Sequence, residues 1–275
     1  MFFIIILGGV GVSLMTYYYY GQLIGEVARI SQYVSKDENY ISPLALSYCA
    51  VLGITAGLSF LLTNKVSKMT SIYLILAIFS CFIPFFLGAS RGALIAITVP
   101  FLLYFLFSLR FTDKIRFVVL SALFLLIVVF STSYFGTGIF DRMIGLSDAI
   151  DQGSSSAIRL EMWRYGFVEQ FLNNPIFGNS LQLDSVSHHP HNIFVEVLLS
   201  TGIIGFIPFI GFIVFVFRKI IVIIKKRPQY FWLTSVFLIG FMQNMFSGAI
   251  WGASWFAMGA AIILGFDVEN IKYEK

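Results

Sequence analysis

TGIFDRMIGLSDAIDQGSSSAIRLEMWRYGFVEQFLNNPIFGNSLQLDSVSHHP, residues 137–190, is a polar island set between long apolar runs. The runs around it set the architecture. Across 275 residues the chain is 58% hydrophobic and only 12% charged, with 31 Phe, which leaves far too few charged side chains to cover a soluble globule. The expected fold is all-α, a polytopic transmembrane helical bundle, and the island is where water-side chemistry can take place.

About 20 residues at 1.5 Å rise cross a hydrocarbon core of about 30 Å, so apolar runs of that length mark spans. About eight are expected, over 2–22, 41–62, 71–88, 92–109, 117–136, 191–217, 230–247 and 249–266. The third and fourth are separated only by Ala89, Ser90 and Arg91, and the last two only by Ser247 and Gly248, so each pair reads as a tight hairpin. Met1 leads straight into an apolar run with no basic segment before it, which reads as a first span rather than a cleaved signal peptide. The chain then divides into N-terminal helices over 1–70, helices with the Arg91 hairpin over 71–136, the outer loop over 137–190, and C-terminal helices with a tail over 191–275.

The formal charge is +4, but the basic residues sit in short clusters between apolar runs rather than along one helix face. They read as topology signals, and nucleic acid is not an expected partner. Threading eight spans puts 63–70, 110–116, 218–229 and 267–275 on one side, and these short segments hold 12 of the 18 Lys and Arg. That side is expected to be cytoplasmic and to carry both termini. The outer side then carries Arg29, Lys36, Arg91, Arg142, Arg159 and Arg164, together with the island and His191.

Within the island Ser154, Ser155 and Ser156 offer N-cap oxygens, and Ile158, Met162, Tyr165, Val168 and Leu172 recur at helical spacing up to Asn173-Asn174-Pro175. This pattern predicts an amphipathic helix on the outer membrane face, with Arg159 and Trp163, four apart, on one side of it. Pro190 is a favourable first helical residue and would put His191 in the opening turn of the sixth span. Gly53 with Gly57 and Gly248 with Gly252 fit the small-xxx-small packing pattern. Cys49 and Cys81 fall inside apolar runs and read as packing residues.

Arg91, Arg159 and Arg164 all face outward on this topology. A guanidinium keeps its charge and offers a planar fork of donors to phosphate oxygens; taken singly, each is equally readable as an interfacial anchor or a solvated helix residue. All three histidines fall in His188-His189-Pro190-His191-Asn192. They are contiguous in a bend, no Cys joins them, and carboxylates nearby are sparse, so a metal site is disfavoured. A helix N-terminus favours a neutral imidazole and attracts anions, which suits a general base beside a phosphate-bearing substrate; a cap at a lipid interface is the plainer alternative. Asn192 and Glu196 lie one turn apart, and an ionisable side chain that far into a span needs a partner or a role. There is no Gly-rich loop followed by Lys and Ser or Thr, so nucleotide hydrolysis is not indicated.

Taken in order, these residues resemble the O-antigen ligase and O-antigen polymerase family of bacterial surface-polysaccharide enzymes. The resemblance rests on Ser90-Arg91-Gly92-Ala93 at the start of a span, and on Arg159, Trp163 and Asn174-Pro175-Ile176-Phe177-Gly178 in the loop. It closes on His191-Asn192, Glu196 and Gly202-Ile203-Ile204-Gly205, and spans residues 71–217. It implies a multi-pass glycosyltransferase of the bacterial inner membrane that takes a glycan from undecaprenyl diphosphate on the outer face. Ligases pass the glycan to lipid A core, and polymerases pass it to another lipid-linked repeat unit. By this resemblance Arg91 and Arg159 hold the diphosphate, Arg164, Trp163, Asn192 and Glu196 contribute to substrate binding, and His191 is catalytic, activating the acceptor hydroxyl for an inverting displacement without metal or other cofactor. The implied partners are the glycan donor, the acceptor, membrane lipids and other polysaccharide assembly proteins. Two departures stand out. Members usually carry several more N-terminal spans, which implies a shortened copy, and Gly178-Asn179-Ser180 stands where the family often has Gly-x-Gly. A transporter or flippase for the same lipid-linked glycan, and a non-catalytic remnant, are the rival readings.

Overall fold

The computed structural model describes residues 1–24, 42–109, 155–183 and 189–268, with residue 26 and scattered positions within 111–130. The regular elements among these residues are helices: α1 Phe2–Tyr20, α2 Pro43–Thr63, α3 Lys68–Gly88, α4 Arg91–Phe107, α5 Ser155–Tyr165, α6 Ile193–Lys226, α7 Thr234–Phe246 and α8 Ser254–Gly265. Four stretches are long and apolar enough to cross a membrane, namely α1 with its extension to Leu23, α2, α3 and α6, while α4 and α8 are apolar but shorter. Most of the expected fifth span, and the island up to residue 154 with its Ser154 cap, lie outside the described residues. The seventh expected span opens as a 3₁₀ stretch, Pro228–Leu233, before α7, and the eighth as a 3₁₀ turn, Ile250–Gly252, before α8.

Capping chemistry sets the boundaries. Pro43 opens α2, where its missing N–H costs nothing. The Ser90 hydroxyl accepts the Ala93 N–H at 3.3 Å to start α4. Between α3 and α4 the chain reverses at Ala89, whose left-handed backbone (φ 43, ψ 47) lets its N–H reach the Phe85 and Phe86 carbonyls. The expected hairpin at 89–91 is therefore present.

In lipid, helices gain little by hiding apolar surface from one another and associate through close van der Waals packing. The α1, α2 and α3 helices meet in this way. A Cβ at Gly53 would lie 3.0 Å from Cys81 Sγ and 3.6 Å from Gly9 Cα, and one at Gly57 would lie 2.8 Å from Ile78 Cγ1. Gly53 and Gly57 thus form a tight face with buried Cys81 inside it. Gly252 has no neighbour within 4 Å, so the second glycine pair is not a packing motif: the chain has already left the α7 helix there. A contiguous core that includes Tyr48, Phe85, Phe86, Phe231 and Phe237 unites α2, α3, α7 and the 3₁₀ stretch.

The antiparallel order sorts the two ends of the bundle. At one end Phe2 stacks on Phe60 and meets Trp232 edge-on, Lys68 begins α3, and Lys225 and Lys226 close α6. At the other end Tyr20 packs with Leu46 and Leu87, beside exposed Tyr17, Tyr18 and Tyr19. A tyrosine cluster of this kind is what a membrane–water interface selects. The α3–α4 reversal shares that end.

Two irregularities shape the loop region. After α5 the backbone widens into a π-helical turn, Gly166–Phe171, whose i→i+5 spacing rotates the faces that follow. The expected apolar stripe is split as a result: Met162 and Tyr165 pack with Phe171, Leu183 and Leu199, whereas Ile158, Val168 and Leu172 are exposed. The second irregularity is in α6, which is broken at Gly202 (φ 61, ψ −162). The backbone groups freed by the break bond to the loop after the π turn: Ile203 N–H to Pro175 O at 2.9 Å, Ile204 N–H to Ile176 O at 3.3 Å, and Asn179 N–H to Leu199 O at 2.7 Å. Asn174-Pro175-Ile176-Phe177-Gly178 and Gly202-Ile203-Ile204-Gly205, read separately in sequence, are two halves of one joint.

Candidate functional site

Arg91 is the first residue of α4, directly behind its Ser90 cap. Its neighbour Gly92 sits so close to α2 that a Cβ would lie 2.4 Å from Tyr48 Oη, so only glycine lets α4 start here. Arg159 projects from α5, half-buried, and its guanidinium lies in the fields of both Arg91 and Tyr48. Burial pushes it below its ordinary value; Tyr48 acts in the opposite direction, and the like charge of Arg91 adds to the depression. Among the described residues Arg159 has no carboxylate partner.

His191 is held in a left-handed conformation, φ 56, which a non-glycine residue adopts only when its surroundings enforce it. Three contacts do so. Trp163 Nε1 donates to Pro190 O at 2.7 Å. On the other side, the Asn192 side chain accepts the Phe194 and Val195 N–H groups at 3.0 and 3.3 Å and caps α6. Beneath both, fully buried Glu196 accepts the Ile250 N–H at 2.7 Å through Oε2, with the His191 N–H directed at the same carboxylate. His191 therefore precedes the helix rather than lying in its opening turn, because Asn192 satisfies two orphan N–H groups that a start at Pro190 would leave open.

The His191 imidazole faces the Ser247 and Gly248 carbonyls, and its Nδ1 is buried with no hydrogen-bond partner. Burial lowers its pKa from the ordinary 6.5; His189 and Arg159 lower it further, and the two carbonyls oppose them. The His189 ring lies edge-on to His191 at 4.2 Å and to Trp251 at 4.8 Å, while His188 is outside the described residues. Among the described residues no group of three His, Cys, Asp or Glu side chains could hold a metal ion.

Of the residues singled out in the sequence, Arg159 lies in the field of Arg91 and acts on His191, and Trp163 braces the backbone just before the histidine. Arg164 is exposed; five positions past Arg159, it falls on another face of α5. The Asn192 side chain caps α6, and Glu196 holds the Ile250 N–H through Oε2 while its Oε1 is buried with no hydrogen-bond partner. Sequence reading passed over Tyr48, whose fully buried hydroxyl lies beside Ser90, Ser247 and Arg159. Nothing in the apolar run around it marks that tyrosine. Glu196→Ala would orphan the Ile250 N–H and release His191. We expect a loss of about 1–3 kcal/mol of stability, read as a lower unfolding temperature in detergent, with Glu196→Gln close to wild type because it keeps an acceptor.

Membrane-crossing helices, together with two arginines and a histidine gathered at one end of the bundle, define an integral membrane protein with a cationic site. Residues 74–210, about half of the chain, match the family model described as O-antigen ligase. The chain belongs to that family. The matched segment begins in α3 and ends in α6, so it contains Arg91, Arg159, Trp163 and His191 but neither Tyr48 nor Ser247. No curated protein matches the chain.

Proposed function

We propose that the chain is a glycosyltransferase that moves a glycan from undecaprenyl diphosphate to an acceptor hydroxyl on the outer face of the bacterial inner membrane. The acceptor is either lipid A core or another lipid-linked repeat unit. The observation that carries this reading is that the half-buried Arg159 guanidinium feels the like charge of Arg91, with His191 in the field of Arg159. Two guanidinium groups whose like charges act on each other are favoured by an anion between them, and a diphosphate presents oxygens to both forks.

The chemistry follows from the positions. The acceptor O–H gives its proton to the His191 imidazole, and the acceptor oxygen attacks the anomeric carbon. The bond from that carbon to the diphosphate oxygen breaks, its electron pair leaves with the diphosphate, and the two guanidinium groups stabilise the departing charge. Attack opposite the leaving group inverts the anomeric centre. In the membrane arrangement we propose, eight spans place the basic end of the bundle and both termini in the cytoplasm. The 137–190 loop, with α5 as an amphipathic surface helix, then covers the site from outside, between helices of 71–136 and of 191–275. The separation of the Lys225–Lys226 end from the tyrosine-rimmed site end supports this orientation.

A broken helix is also a feature of transporters, where unwound backbone binds substrate. Here the break at Gly202 is filled by the protein's own loop, which favours transfer over transport. Arg91→Ala and Arg159→Ala test the reading in cells: both should collapse the ladder of surface polysaccharide, and an unchanged ladder would overturn it. Single repeats on core would indicate a lost polymerase, whereas accumulated lipid-linked polymer would indicate a lost ligase.

The pH dependence has a definite sign. A base works in its neutral form, and a depressed His191 pKa keeps that form populated below the ordinary 6.5. The acid limb of kcat/KM should therefore fall below pH 6.5, and a midpoint above it would exclude His191 as the base.

A further inference from the structure

We propose that Trp251 is the platform of a sugar-binding subsite beside His191, its indole face stacking on a pyranose ring of the acceptor glycan. This rests on the transfer reading above, deepens it on the acceptor side, and places the platform outside the segment matched by the family. Three rings run in series from the base towards solvent. His189 lies 4.2 Å from His191 at an interplanar angle of 71°, and Trp251 lies 4.8 Å from His189 at 77°. The two histidines are half-buried, whereas the indole is 58% exposed. A contact this close to perpendicular engages at most one face of the indole, and the other stays open. Beside it, a Cβ on Gly252 would meet nothing within 4 Å, so there is room for a ligand against the turn.

The turn is also held in place. Ile250–Gly252 is a short 3₁₀ turn between α7 and α8, and the fully buried Glu196 accepts the Ile250 N–H at 2.7 Å. An acidic side chain in such a position is costly, and here it ties the residue next to Trp251 to the helix that His191 leads into. A tryptophan that only anchors the chain at a membrane–water interface needs no such tie, because its amphipathic ring seats itself among headgroups. A fixed, open indole face suits a sugar. The C–H bonds on one side of a pyranose carry slight positive charge and pack on the electron-rich face of an aromatic ring, while the hydroxyls round the rim keep to water. The acceptor is the glycan that belongs here, because it brings the hydroxyl that the His191 imidazole deprotonates.

The test uses the full chain in lipid nanodiscs, with an undecaprenyl-diphosphate-linked glycan as donor and, in turn, lipid A core and a lipid-linked repeat unit as acceptor. With the acceptor that wild type uses, Trp251→Leu should raise the acceptor KM roughly tenfold, while donor KM and kcat change far less. Trp251→Phe should restore most of that loss, because it returns the aromatic face that leucine lacks. Both unfolding temperatures should stay near that of wild type, since the side chain is exposed. An acceptor KM within about twofold of wild type in Trp251→Leu would overturn the proposal, as would a rise in donor KM alone or a leucine variant as good as the phenylalanine one. Calorimetric titration with the soluble oligosaccharide of each acceptor reads the subsite without turnover: binding should weaken in Trp251→Leu, and no weakening with either oligosaccharide would overturn the proposal. Arg159→Ala assayed alongside separates the two levels. If it leaves transfer intact, the functional reading fails and the titration still decides the sugar subsite; if it abolishes transfer while Trp251→Leu leaves the acceptor KM unmoved, only the role of Trp251 fails.

Discussion

Replacement of His191 by alanine is expected to cut glycan transfer by roughly 10²–10⁴-fold while leaving donor binding within a few-fold. The reason is the division of labour proposed for the site: the arginines grip the diphosphate, and the imidazole takes a proton only as the acceptor attacks. Single-turnover transfer, measured beside the affinity for undecaprenyl diphosphate, separates the two. Loss of donor binding would make His191 an anion ligand, and an unchanged rate would remove it from the chemistry. The left-handed backbone at this position (φ 56) complicates the alanine variant, since a Cβ residue without local support is strained there. Asparagine tolerates that conformation better. His191→Asn should be as inactive as alanine but more stable, which isolates the missing base from backbone strain.

Gly202→Ala is expected to produce the largest loss of stability, about 3 kcal/mol or more. The Gly202 conformation (φ 61, ψ −162) is essentially reserved for glycine, and the added Cβ would lie 2.2 Å from Ile176 O. The loop would be driven off the break, and the Ile203 and Ile204 N–H groups would lose their acceptors. Thermal unfolding in detergent should show a large drop, with new proteolysis near Pro175. Gly211→Ala, where nothing lies within 4 Å, should stay within about 0.5 kcal/mol of wild type. Equal behaviour of the two variants would mean that the joint contributes nothing.

Apolar run length was enough to place four spanning helices and the 89–91 reversal, because Ala89, Ser90 and Arg91 interrupt an otherwise continuous stretch of spanning length. The residues of the candidate site were legible through their types: arginine at helix starts and histidine in a bend carry chemistry that lipid-facing positions do not. Contacts made across the fold were not legible. Tyr48 sits in an apolar run and reads as packing until Gly92 is placed beneath its hydroxyl. The surface stripe at Ile158, Val168 and Leu172 follows a 3.6-residue period, and one π turn breaks that phase. The docking of Pro175–Gly178 into the break of α6 depends on hydrogen bonds between segments that share no local pattern. His191 was misplaced by one helix start because Pro190 and Asn192 both signal an N-terminus, and only the competition for orphan N–H groups separates them.

A structure of the chain in nanodiscs with undecaprenyl diphosphate bound puts the account to its hardest test. The diphosphate should lie between the Arg91 and Arg159 guanidinium groups, leaving room for an acceptor hydroxyl about 3 Å from the His191 imidazole. A diphosphate bound at the opposite, lysine-rich end near Lys225 and Lys226, with Arg91 and Arg159 untouched, would contradict it.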